Sequence, residues 1–320
     1  MKRVGVVIPV YNTEKFLCQC IDSVIGQSYP EICIALVNDG STDKSADICS
    51  EYAKKYSNIK VIHQHNQGKL SARYNGALSL NCDYLTFVDS DDWISPISYE
   101  NFSDMMDNEV DVISWQIIRY FTVDRQTTSM HNFPVGLYNY ERYRKEIYPY
   151  MIWNFENNTY GVDSSLCNKL IKKDLVLNSL LAAQRLHVSY GDDIAVIYPL
   201  LKKIKSIYLS SDALYYHRQR DSKEYAPYLL ERCFYKNLFL LYEYLYEVFR
   251  NEKKLLKQLD MFYAYSTSLH LAENKCYLNR KEQYIFPFNI NSRVKSTVFQ
   301  TVQLSVAYPK KGKASILSMR

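Results

Sequence analysis

Hydrophobic and polar positions follow two periods over the first quarter of the chain. Val4-Gly5-Val6-Val7-Ile8 is a short continuous apolar run. Phe16, Leu17, Cys20, Ile21, Val24 and Ile25 then recur at helical spacing, and a second run follows, Ile32-Cys33-Ile34-Ala35-Leu36-Val37. Continuous runs bounded by polar turns predict strands buried on both faces, and recurrence every three to four residues predicts an amphipathic helix. The polar turn Asn38–Asp43 leads into a helix through Tyr56, with Ser41 or Thr42 as its N-cap. A third strand is expected over 59–63, a helix over 69–80 and a fourth strand over 84–88. This βαβαβαβ order predicts an α/β fold with a mostly parallel sheet flanked by helices. Ligand sites in such sheets lie at the carboxyl ends of strands. Three polar clusters fall there: Tyr11-Asn12, Asn38-Asp39-Gly40 and Asp89–Asp92.

Farther along, 111–116 reads as a strand and 192–201 as a helix. Residues 226–282 read as helical, with Leu229, Leu230, Phe234, Leu238 and Leu241 on successive turns. Val294, Val298, Val302 and Val306 sit four apart, beside Arg293 and Lys295. With 47% hydrophobic and 23% charged residues over 320, the composition is that of a globular protein. No apolar stretch is long enough to span a bilayer, and the opening residues read as a strand rather than a signal peptide. Eight scattered Cys without a CxxC read as reduced thiols, so a cytoplasmic location is expected. His63 and His65 read as non-ligands.

Charge divides the chain. Residues 1–112 hold 9 Lys and Arg against 16 Asp and Glu, net −7, and the remainder is net +12. An acidic first part argues against a nucleic-acid-binding face. No acid follows Glu282, while Arg293, Lys295, Lys310, Lys311, Lys313 and Arg320 do. That tail and the valine stripe suit peripheral docking on the anionic inner face of a cell membrane. The plainer alternative is a helix packed on the rest of the protein with a solvated tail.

Glycine-rich phosphate loops are missing: there is no GxGxxG after the first strand and no GxxxxGK[ST]. The remaining candidate for a nucleotide site is Asp89-Ser90-Asp91 at the end of the fourth strand. In an extended segment residues i and i+2 point to one side. Two carboxylates would then face one spot, and Mg²⁺ or Mn²⁺ prefers oxygen ligands. The competing reading is an Asp-rich turn.

Five ordered segments carry a resemblance. They are Val6-Val7-Ile8-Pro9-Val10-Tyr11-Asn12, Ser23-Val24-Ile25-Gly26-Gln27-Ser28-Tyr29, Val37–Asp43, Asn66–Gly76 and Phe87-Val88-Asp89-Ser90-Asp91-Asp92-Trp93. Together they resemble the family 2 glycosyltransferases, inverting enzymes of the GT-A fold. The likeness is dense to about residue 110 and thins toward 222, with Asn38 and Tyr74 departing from the family pattern. It implies a catalytic domain over 1–225, with a nucleotide-binding half at 1–110 and an acceptor half at 111–225. A helical extension with a basic tail occupies 226–320. It also implies transfer of a sugar from a nucleotide donor, UDP-linked for preference, to a hydroxyl of a glycan or lipid-linked glycan in polysaccharide biosynthesis.

By position, Asp39 would accept the uracil N–H, with Pro9, Tyr11 and Asn12 lining the base pocket. Arg73 would approach the base or diphosphate; the competing reading is an exposed helix charge. Asp89 would bind ribose and share with Asp91 the Mg²⁺ or Mn²⁺, Asp91 being the principal ligand. Asp92 would support the metal or the donor sugar. Tyr190-Gly191-Asp192-Asp193-Ile194 is similar to the family's acidic pair opening a helix, which implies Asp193 as the base and Asp192 as its neighbour. His217 or Arg218 would touch phosphate or metal, the alternative being a surface role. The alternative function is a nucleotide-sugar-binding protein without transfer activity; a nucleotidyltransferase would want a glycine-rich loop that Pro9–Asn12 lacks.

Overall fold

The computed structural model describes residues 1–186, 188, 190–219 and 234–273. The valine stripe and the basic tail lie outside them. The first part of the chain builds, in order, β1 (Val4–Val10), α1 (Leu17–Ile25), β2 (Ile32–Asp39), α2 (Ser45–Lys55), β3 (Ile59–Gln64), α3 (Lys69–Ser79) and β4 (Tyr84–Phe87). The sequence pattern predicts every one of these elements. β1 is buried along its whole length, as a central parallel strand covered on both faces must be. β3, at the sheet edge, is buried only at Ile59 and exposed at Lys60 and His63. The apolar stripe of α1 buries Leu17, Cys20, Ile21 and Val24. α2 starts later than the Ser41 or Thr42 cap predicts. The carboxylate of Asp43 caps it, accepting from Ser45 N at 2.9 Å and from Glu14 N at 3.1 Å.

The chain continues through β5 (Trp93–Ile94), α4 (Ser103–Asp107), β6 (Val112–Thr122), β7 (Arg125–Ser129), β8 (Gly136–Tyr138) and a turn of helix, α5 (Tyr140–Arg142). β9 (Trp153–Asn154) and β10 (Thr159–Tyr160) form a hairpin. β11 (Lys169–Lys172), α6 (Lys173–Ala183), α7 (Asp192–Leu201) and β12 (Ile207–Arg218) follow. The central sheet runs β3-β2-β1-β4-β11-β6-β12-β5. Its first four strands are parallel. β11 then enters antiparallel between β4 and β6, while β6 and β12 pair in parallel.

The order 3-2-1-4 places a topological switch between β1 and β4, where the chain leaves neighbouring strands in opposite directions and a crevice opens. β1 outruns β4: their register stops at Val7 opposite Phe87, and the last bond is Val88 N to Val7 O at 3.1 Å. Pro9 lies two residues past Val7 and so faces the same side, where β4 has ended. A proline, which has no N–H to give, is tolerated there.

Two compact units are formed. One comprises Met1–Tyr148, Val162–His187 and Asp192–Gln219; the other comprises Pro149–Gly161, Val188–Gly191 and Arg220–Arg320. Within the second, α8 (Phe234–Phe249) and α9 (Lys253–Glu273) are the described helices, so the described part of the carboxyl-terminal extension is helical. The buried Gln258 of α9 clasps the β9–β10 insert. Its Oε1 accepts from Ile152 N at 2.9 Å and from Trp153 N at 3.3 Å, and its Nε2 donates to Pro149 O at 2.8 Å. No helix among the described residues is long and apolar enough to cross a membrane.

Candidate active site

Beyond β4 the backbone turns rather than extends. Asp92 N donates to Asp89 O at 2.9 Å, so Asp89–Asp92 is a turn and not the straight i, i+2 segment expected. The carboxylate of Asp89 accepts from Lys69 Nζ at 2.6 Å and from Arg73 at 3.1 Å. Burial alone would raise its pKa; the two cations outweigh that and hold it well below the ordinary carboxyl range. Asp92 is 2% exposed, accepting from Tyr215 Oη at 2.6 Å and from Arg218 N at 2.8 Å. Burial, with the neighbouring Asp91 and Asp89 charges, pushes its pKa well up. Tyr215 Oη also accepts from Asp89 N at 3.1 Å, so one phenol ties both ends of the turn.

Arg218, the last residue of β12, braces the turn from the other side. Its Nε donates to Asp91 O at 2.9 Å and its guanidinium reaches Gln19 Oε1 at 2.6 Å. The Trp93 and Phe16 rings lie 4.6 and 4.8 Å from it, and Tyr216 stacks on Trp93 at 5.1 Å. Burial lowers the pKa of His217 against the opposing pull of Asp89 and Asp91.

Arg73 is the hub. It belongs to the buried face of α3, with Leu70, Ala72, Gly76 and Ala77, and is 0% exposed. This excludes the reading of an exposed helix charge. One nitrogen pairs with Asp89. The other pairs with Asp192 at 3.2 Å and closely with Asp193. Asp192 and Asp193 open α7, where the helix dipole favours negative charge. Desolvation lowers the pKa of Arg73, but Asp193, Asp89 and Asp192 together raise it further, so the guanidinium stays charged. Burial, then the adjacent Asp193, raises the pKa of Asp192. A buried cation without partners would be prohibitive; three carboxylates repay its desolvation. Asp193 also accepts from Leu166 N at 3.1 Å.

Most polar residues of the nucleotide half hold loops to one another. Asp39 ends β2 and is buried, accepting from Gln64 Nε2 at 2.7 Å, Gln67 N at 2.8 Å and Gly68 N at 2.9 Å. Gly40, at φ 77°, makes the turn behind it; a Cβ there would meet Asn66 N at 2.9 Å. Asn12, at φ 51°, accepts from Thr42 N at 2.8 Å and receives Ser41 Oγ on its own N–H at 3.1 Å. Asn38 accepts from Ser41 N at 3.1 Å. Tyr11 is half exposed, and Pro9 is buried. A cavity of about 550 Å³ lies alongside, lined by Asn66, Gln67, Ser71, Gln184 and Arg185.

Sequence reasoning missed Lys69, Tyr215 and Cys167. Lys69 lay inside a quoted segment, four residues before Arg73 and so on the same helix face. Tyr215 opens the stretch that carries His217 and Arg218, and nothing in the sequence marks Cys167, whose Sγ lies 3.9 Å from the Arg73 guanidinium. Among the described residues no group of three or more His, Cys, Asp or Glu side chains is arranged to hold a metal ion. One or two carboxylates completed by substrate phosphates is the usual way Mg²⁺ is held, and the hard oxygens of Asp91 fit that chemistry, whereas both oxygens of Asp89 are engaged by Lys69 and Arg73.

Comparison with known proteins bears on the family and the fold. The pattern described as Glycosyl transferase family 2 matches residues 5–176. Glycosyltransferase GlyA of Streptococcus pneumoniae is 48% identical over 92 residues, 29% of this chain but 13% of that protein's length. Glycosyltransferase GlyG of the same organism is 30% identical over 226 residues, 68% of this chain and 71% of GlyG. Residues 1–349 of Staphylococcus aureus TarS, crystallised with UDP-GlcNAc, share the fold at a TM-score of 0.66 and 18% identity, covering 97% of this chain and 92% of that one. A matched pattern running through β1, the acidic turn and α6, on a shared GT-A fold, makes this chain a member of glycosyl transferase family 2.

Proposed function

We propose that the chain transfers a sugar from a nucleoside diphosphate to an acceptor hydroxyl with inversion at the anomeric carbon. The observation that carries the reading is the convergence on Arg73 of the acidic turn after β4 and the acidic opening of α7. A donor-holding carboxylate and a candidate base thereby share one buried cation.

Asp193 removes the proton from the acceptor hydroxyl as that oxygen attacks from the face opposite the nucleotide. Arg73 and the N–H of Leu166 fix the carboxylate's orientation. Asp39 accepts the base N–H. Its Oδ1 takes two hydrogen bonds and its Oδ2 takes one, so a lone pair remains for the ligand. Pro9, Tyr11 and Asn12 wall the base, and Asp89 faces the ribose. Asp91, with Asp89, would hold a divalent ion, which when bound would supply neutralisation of the diphosphate's developing charge. Arg218, fixed to the Asp91 carbonyl, keeps a second positive charge beside the same turn. Asp92, buried and tied to Tyr215, sets the shape of the turn.

TarS, described with UDP and with UDP-GlcNAc, makes a UDP-sugar the first donor to try. The acceptor class we favour is a glycan or lipid-linked glycan. A thermal-shift screen of UDP-, GDP- and dTDP-sugars with Mn²⁺, followed by nucleotide release, tests the reading. A stabilising donor that is turned over supports it. A donor that binds without turnover, with any acceptor glycan, would favour a binding protein instead.

A further inference from the structure

Lys169 is a buried cation outside the machinery described above. It opens β11 opposite Ser114 of β6 and is 0% exposed. Lysine is almost never fully buried unless paired. Its Nζ donates to Ser165 O at 2.7 Å and to Asn168 Oδ1 at 2.7 Å, and Asp163 Oδ1 stands 3.8 Å away. Asp163 Oδ1 in turn accepts from Ser165 N at 2.7 Å, and Ser165 Oγ accepts from Cys167 N at 3.2 Å. The loop leading into β11 is therefore folded around one ammonium.

The carbonyl that Lys169 grips and the N–H that Asp193 grips belong to the same peptide group, the one joining Ser165 to Leu166. We propose that Lys169 is a positioning residue for Asp193, acting through the Ser165–Leu166 peptide. An ammonium on the carbonyl oxygen withdraws electron density along the amide plane and makes the N–H a stronger donor to the carboxylate; hydrogen bonds in such chains polarise one another. It also fixes the plane of that peptide, and with it the carboxylate oxygen that Leu166 holds. Asp193 is thus oriented from two sides, by Arg73 on α3 and by the peptide that Lys169 sets. Burial lowers the pKa of Lys169, and the charges of Asp163 and Asp193 oppose that shift.

This inference rests on Asp193 being the base, but its first readout does not. In leucine-selective amide NMR of the full chain, the Leu166 resonance is identified by its loss in Leu166→Met. Asp193→Asn and Lys169→Met should both move that amide proton upfield, the sense of a weakened hydrogen bond, with the fold intact by circular dichroism. In nucleotide release, Lys169→Met should lower kcat on the order of tenfold with donor KM unchanged, the equivalent of one lost hydrogen bond. Lys169→Gln keeps an N–H for the Ser165 carbonyl without the charge. It should show a smaller shift and a smaller loss, and it serves in place of Lys169→Met if that variant does not fold. A Leu166 amide unmoved in the folded Lys169 variants, while Asp193→Asn moves it, overturns the relay and leaves the base assignment standing. If the wild-type chain turns over no donor, the proposed function fails, and the amide shift still decides the relay.

Discussion

Arg73 and Asp193 stand 120 residues apart in the chain and form an ion pair in which the guanidinium is fully buried and the carboxylate partly so. The guanidinium reaches Asp89 through its other nitrogen, so a single side chain on α3 joins the turn after β4 to the start of α7. Replacing it with Met should leave Asp192 and Asp193 without their guanidinium partner and Asp89 with Lys69 alone. Removing one partner of a buried pair costs about 3–5 kcal/mol. Urea unfolding of Arg73→Met should show a loss of that order. Arg73→Lys should not restore the wild type, because one ammonium cannot span the two sides that a planar fork spans. Stability unchanged in Arg73→Met would mean the cluster relaxes into water.

Asp193→Asn tests the base. The amide is nearly isosteric and can still accept from Leu166 N. Donor-induced thermal stabilisation should therefore persist while nucleotide release in the presence of acceptor falls at least a hundredfold, the low end of what a general base contributes. Loss of donor binding together with turnover would move Asp193 from catalysis to donor binding.

Asp91→Ala should abolish the Mn²⁺-dependent part of donor stabilisation, and EDTA should do the same to the wild type. Turnover that survives both treatments removes the divalent ion from the reaction.

How far the site was legible in the sequence depends on the range of its contacts. The strands and helices from β1 to β4 announce themselves because each buries a continuous run or a regular stripe, and α7 begins at Asp192 as its acidic opening indicates. Arg73 was visible as a motif residue, but not as a buried hub. Its companions Leu70, Ala72 and Gly76 form an ordinary buried face, and two of its partners lie 119 and 120 residues away. The acidic turn misled for a local reason. Periodicity carries β4 through Val88, whereas β4 ends at Phe87 and the backbone closes a turn on Asp89 O. The antiparallel entry of β11 between β4 and β6 left no local trace, since four residues cannot specify a partner so distant in sequence.

Asp92 gives stability a pH dependence whose sign follows from its raised pKa. Below the ordinary carboxyl value of 3.8 the folded and unfolded chains are both protonated there. As pH climbs past that value, the unfolded chain releases the proton while the folded chain keeps it. The unfolded state then binds fewer protons, so stability falls until pH passes the raised native value, and levels off. Asp89, with its lowered pKa, contributes in the opposite sense and gains stability over the acid range. The difference between Asp92→Asn and wild type isolates the first effect. An amide stands in for the protonated carboxyl, able to accept from Arg218 N and to donate to Tyr215 Oη. Urea midpoints from pH 4 to pH 8 should therefore diverge, with Asp92→Asn increasingly the more stable as pH rises. Parallel curves would show that the carboxyl is ionised throughout.

Gly76 connects packing to chemistry. It lies three residues after Arg73 on the face of α3 that meets the sheet. A Cβ there would come 2.5 Å from Val7 Cγ1 and 2.9 Å from Val37 Cγ2, both in the buried parallel core. Those valines sit on β1 and β2, pinned by register to their neighbours, so they cannot retreat. The helix has to move instead, and Arg73 moves with it. Overpacking of this kind costs about 1–3 kcal/mol. Gly76→Ala should therefore lower the urea midpoint and also reduce kcat, although no atom of residue 76 reaches the carboxylates. The control is Leu78→Ala, two residues on and exposed, which leaves the helix seated. A Gly76→Ala variant that loses stability but keeps full turnover would show that the ion-pair cluster holds Arg73 in place regardless of where α3 rests.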